Sequence, residues 1–186
     1  MGMTMTIVMA FIMIASIFVI VIDNQAQGIP AYNKHKFVGT DQGFQTKING
    51  EYMGFYYYPA DLERIPLSPA IATIINESTG LAFVFNSEEN ISDNLQYIDL
   101  VRYDVSLQLD KPIFFGLTQE SDKYDFAVVE CTNATKEFPF IIMNYSSDTG
   151  FYASEENPYC IFMNAKFLEL LAAKDRLIYT YYGIMQ

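Results

Sequence analysis

A chain of 186 residues with a formal net charge of −11 is long enough for one folded domain and something more. Fifteen Phe and 14 Tyr supply the apolar mass for a core, which excludes a disordered acidic tail. Eleven Lys plus Arg against 22 Asp plus Glu, with no basic stripe between aromatics, exclude nucleic acid as the expected partner.

The first 22 residues contain no charged side chain and run apolar from Ile7 to Ile22, where Asp23 ends the stretch. At about 1.5 Å per residue, residues 3–22 are long enough as a helix to cross a bilayer core of about 30 Å. A cleaved signal peptide would show a basic start, a shorter apolar stretch and small residues before the cut. No Lys or Arg precedes this run, so it reads as a retained transmembrane anchor over 1–22, in contact with the lipid bilayer through 3–22.

Which side the rest faces is a balance of signals. Lys34, Lys36 and Lys47 follow the anchor and no base precedes it, which by itself keeps the body inside; long domains, however, translocate largely regardless of charge. Two features point outward. Cys131 and Cys160, the only cysteines, are the minimum for one disulfide, against the alternative of two separate buried thiols. Asn76, Asn90, Asn133 and Asn144 each open an Asn-x-Ser/Thr triplet, so all four are glycosylation candidates on an exported surface. The expected location is the cell membrane, single-pass, with an extracytoplasmic domain.

Residues 23–36 are polar, contain Gly28 and Pro30 and show no periodicity, which reads as a tether. The domain is expected over 37–186. Phe44 to Ile48 alternates apolar and polar residues, Asn49-Gly50 supplies the two positive-φ positions of a type I′ turn, and Glu51 to Tyr58 returns as an aromatic strand. Pro59 stops it, and a short helix is expected over 69–75. Leu81 to Asn86 is a strand-length apolar run. Ile91, Leu95, Ile98, Val101 and Val105 then recur at helical spacing, with Asn90 or Ser92 as the cap, before a second apolar run over 112–117. Strand, helix, strand over 81–117 is a βαβ crossover with parallel strands. Short strands are expected over 126–130, 138–145, 150–153 and 159–163, then a largely covered helix from Lys166 to about Tyr182, stopped by Gly183. The fold class is α/β or α+β: an N-terminal transmembrane helix, then a mixed sheet of five to seven strands with a hairpin, one βαβ crossover and a C-terminal helix.

These residues carry a resemblance. KFVGTDQGFQTKINGEYMGFYYYPADLERIPLSP after a single N-terminal anchor, CTNAT at 131–135, a second cysteine in YCIFMN, and the closing AAKDRLIYTYYGIM resemble a set of uncharacterised archaeal membrane-anchored extracytoplasmic proteins. The resemblance covers nearly the whole chain. It implies an archaeal envelope location and the pairing of Cys131 with Cys160; it implies no activity and no site residues.

Chemistry is sparse. The single histidine, His35, lies in the tether beside two lysines, without the scaffold that a base or metal ligand requires. There is no zinc spacing, no Cys-x-x-Cys, no nucleophile elbow and no phosphate-binding glycine loop. The densest oxygen cluster spans 87–93 at the carboxyl end of the first βαβ strand, where open α/β sheets place ligands. Glu88, Glu89 and Asp93 are therefore the candidate metal ligands, against the reading that they simply suit a helix N-terminus. Asp99 and Asp104 read as the wet face of that helix. Tyr56, Tyr57, Tyr58, Tyr179, Tyr181 and Tyr182 read either as core or as a binding surface. No catalytic residue and no cofactor is assigned. The function expected is a non-catalytic envelope or membrane-complex component acting by protein binding. The alternatives are a carboxylate- or calcium-dependent enzyme acting on envelope glycans and a pilin-like filament subunit.

Overall fold

The computed structural model describes residues 29–88 and 92–186. The transmembrane segment expected over 1–22 and the candidates Glu89 and Asn90 lie outside the described residues. Among the described residues no helix is long and apolar enough to cross a membrane.

The domain is mixed α/β and contains two sheets. Strands β1 (Phe37–Thr40), β2 (Gly43–Ile48) and β3 (Glu51–Phe55) form an antiparallel sheet in that order. The β2–β3 hairpin turns at Asn49-Gly50 with φ of 52° and 96°, the left-handed pair that a two-residue type I′ loop demands. The larger sheet holds β4 (Leu81–Phe85), β5 (Ile113–Leu117), β6 (Ala127–Val128), β7 (Phe140–Tyr145), β8 (Gly150–Ala153) and β9 (Cys160–Ala165) in the order β6-β5-β4-β7-β9-β8. All its pairings are parallel except β8 with β9.

Among the described residues three α-helices complete the fold. Helix α1 (Pro69–Glu77) starts where the Ser68 hydroxyl accepts the Ile71 N–H and Pro69 occupies the first turn. Helix α2 (Ser92–Gln108) is the crossover between the parallel neighbours β4 and β5, as the switch from strand to helix spacing implies. Helix α3 (Leu168–Tyr181) closes the chain, and Gly183 at φ 68° stands just beyond it.

The parallel strands separate two cores by alternation. Leu81, Phe83, Phe85, Ile141, Met143, Ile161 and Met163 point to the face covered by the helices, where they join Leu95, Ile98, Val101, Leu171, Leu177 and Ile178. Ala82, Val84, Phe140 and Cys160 point to the other face and meet only Ala134 and partly buried neighbours. No α-helix among the described residues covers that second face; the connection from β6 to β7 crosses it instead.

Residues 29–36, expected as part of a tether, are held on the domain. Tyr32 and His35 exchange backbone hydrogen bonds of 3.0 and 2.9 Å, the Tyr58 hydroxyl donates to the Pro30 carbonyl, and the Asn33 amide donates to the Ile184 carbonyl at 2.7 Å. Local polarity suggested solvation, but the partners lie 28 and 151 residues away.

Candidate functional site

The uncovered sheet face carries a groove of about 360 Å³. Its floor is Ala82, Val84 and Gly116, and Phe114, Val129, Phe138 and Phe140 rise around it, with no charged side chain in the lining. Phe114 and Phe138 meet edge to face at 5.6 Å, yet they remain 54% and 37% exposed, a costly arrangement for two large apolar rings in water. At Gly116 a β-carbon would lie 3.2 Å from Val129 Cγ2, so the floor stays open because that position has none.

The wall is built by the β6–β7 connection. Cys131, in the 3-10 turn Cys131–Asn133, is disulfide-bonded to Cys160 at the start of β9, with the Cα atoms 5.3 Å apart. Both cysteines are paired, so the separate-thiol reading falls away. The Asn157 amide donates to the Cys131 and Ala134 carbonyls at 2.8 and 2.9 Å, and the Phe138 N–H donates to the Thr135 hydroxyl. Ile142 and Phe162, half-buried, continue the apolar surface toward Asn144 and Asn164, whose amides bond each other at 3.1 Å.

A second feature, which the sequence reading missed, lies between the sheets. Lys174 and Asp175, both wholly buried, form an ion pair at 2.6 Å; Lys174 Nζ also lies 3.0 Å from Asp104 Oδ2 and donates to Gln108 Oε1. Asp175 Oδ2 accepts the Tyr56 and Tyr57 N–H groups at 2.8 and 2.9 Å, while Oδ1 faces the ammonium without hydrogen-bond alignment. Gln108 Nε2 donates to the Gly54 carbonyl. Gln108 of α2 thus holds β3, the last strand of its sheet, and Asp175 of α3 holds the backbone just beyond it. Burial pushes the Asp175 carboxyl above the usual range, opposed by Lys174 and the two N–H groups. The cluster welds three elements together, and Asp104 is not on a wet face: its side chain is 14% exposed.

The remaining candidates separate as follows. The Glu88 N–H donates to the Asn86 side chain and Asp93 stands in the first turn of α2; among the described residues no group of three His, Cys, Asp or Glu could hold a metal. Asp99 is exposed and pairs with Arg102 at 2.7 Å, while the guanidinium packs 4.5 to 5.6 Å from the rings of Phe85, Phe115, Tyr124 and Phe126. Tyr179 is core, stacked on Phe55 at 4.1 Å; Tyr57 and Tyr58 pack against the core, and Tyr56 is exposed. Of the glycosylation candidates, Asn76 and Asn133 are exposed, whereas the Asn144 amide nitrogen donates within the sheet.

No family model, no curated protein and no solved structure matches the chain.

Proposed function

We propose that this protein is a single-pass component of an archaeal cell envelope, anchored by residues 3–22, that works by binding a protein partner outside the cytoplasm. The observation that carries the reading is the uncovered groove, with exposed Phe114 and Phe138 over a floor without charge. Soluble surfaces seldom present large apolar side chains beside an open concavity unless something docks there. The disulfide that fixes the groove wall suits an oxidising compartment. The uncharged segment over 3–22, apolar from Ile7 to Ile22, supports the anchor.

The expected partner presents apolar side chains and no charge to this groove, because an unpaired charge there would lose its hydration without a counter-ion. Placing a photoreactive phenylalanine analogue at Phe114 tests this in native membranes. A discrete cross-linked species that forms from Phe114, but not from the still more exposed Tyr103 on α2, and that vanishes with Phe138→Asp supports the reading. Equal labelling from both positions, or none from Phe114, would overturn it.

A further inference from the structure

We propose that the face carrying residues 29–36 rests directly on the lipid headgroups, and that Lys34 and Lys36 engage anionic headgroups there. The inference rests on the anchor reading above and adds an orientation to it. Only Asp23 to Gly28 separate the end of the apolar stretch from the described domain. Six residues reach at most about 21 Å when fully extended. The headgroup layer takes up roughly 5–8 Å of that reach. A domain of this size is about 40 Å across, so the remaining reach is well under its diameter.

What fixes the face is that the chain cannot peel away from residue 29 onward without breaking bonds to distant parts of the fold. The Tyr58 hydroxyl holds Pro30, the Tyr32 hydroxyl donates to Glu63 at 2.9 Å, Asn33 holds the Ile184 carbonyl, and the Thr46 hydroxyl donates to the Lys36 carbonyl. Lys34 and Lys36 are exposed on this face, and residues 29–40 contain no acid, in a chain with twice as many acids as bases. An open cleft of about 640 Å³ adjoins them between Tyr32, Lys34, Glu63 and Arg176; Glu63 is its one acidic side chain. Exposed lysines beside an anchor are attracted to an anionic surface, and a half-buried tyrosine suits the headgroup level.

The chain has no Trp, so a single introduced one reports its own surroundings. The full chain is reconstituted in vesicles of phosphatidylcholine with or without phosphatidylglycerol, each with a headgroup spin label, and carries either Ala31→Trp or Phe114→Trp. Ala31 is exposed and its side chain takes no part in the bonds above. The expected result is at least threefold stronger quenching at residue 31 than at 114, increased by phosphatidylglycerol, with that increase lost in Lys34→Glu/Lys36→Glu. Equal quenching at the two positions, or an increase that survives the double substitution, would overturn the proposal. Flotation separates the two layers of the argument: a chain that floats with the vesicles but leaves residue 31 unquenched overturns the orientation alone, and a chain that does not float overturns the anchor as well.

Discussion

Asp175 fixes the backbone just past β3, accepting the successive N–H groups of Tyr56 and Tyr57 from its place on α3, with Lys174 beside it. Removing Asp175 leaves Lys174 paired with Asp104 but strips the Tyr56 and Tyr57 N–H groups of their acceptor, which costs about 2–4 kcal/mol in all. Asp175→Ala should therefore lower the unfolding free energy by that amount in urea titrations, whereas Arg64→Ala, which removes an exposed pair with Glu169, should cost less than about 1 kcal/mol. The carboxyl also shapes the response to pH. Its folded pKa is raised by burial, so the unfolded chain ionises first, and the group's share of stability falls as pH rises above the unfolded value near 4. Asp175→Asn should flatten stability against pH from about pH 4 upward relative to the parent; an unchanged slope would mean the carboxyl is not held above its ordinary range. None of this was legible in the sequence. The sequence reading gave Lys174 and Asp175 no role, because the groups that meet them besides each other, Asp104 and the backbone N–H groups of Tyr56 and Tyr57, lie more than 65 residues away.

At the scale of elements, local chemistry was a better guide. Asn49-Gly50 names its turn because few residue pairs tolerate positive φ twice in succession, and the structure places it there. Gly50→Ala should cost about 1 kcal/mol or more through backbone strain alone, since nothing lies within 4 Å of the added carbon. Gly54→Ala, equally open but at ordinary φ, should leave stability nearly unchanged in the same titration. The βαβ crossover was legible because hydrophobic spacing changes at Ile91 and changes back near Pro112. The division of the parallel strands into a covered and an open face was not, because strands buried on one side and half-buried on the other read as continuous apolar runs. β1 was missed because its four residues show too little alternation, although its partner β2 follows at once; the folded segment before it was missed because its partners, Tyr58 and Ile184, are distant. The disulfide closes a loop with a sequence separation of 29, which the chain-entropy model values at about 3.5 kcal/mol. Reduction, or Cys131→Ser with Cys160→Ser, should lower stability by roughly that much and release the groove wall. Cross-linking from Phe114 should fall with it.

The whole molecule combines an acidic domain with an uncharged, apolar stretch near its N-terminus. Its charge opposes non-specific association with other acidic surfaces, so contact falls to the places where charge is absent or reversed. Two such places are the open sheet face and the lysine-bearing face beside the expected anchor. One would meet a protein and the other lipid. Both assignments depend on the chain keeping its first residues and facing an oxidising compartment, so the most direct test is the intact mass of the protein extracted by detergent from native membranes, read before and after reduction. The account predicts a chain that retains residues 1–22 and gains the mass of two hydrogens when Cys131–Cys160 is reduced. A chain cut before residue 29, or one with both thiols already free, would contradict it.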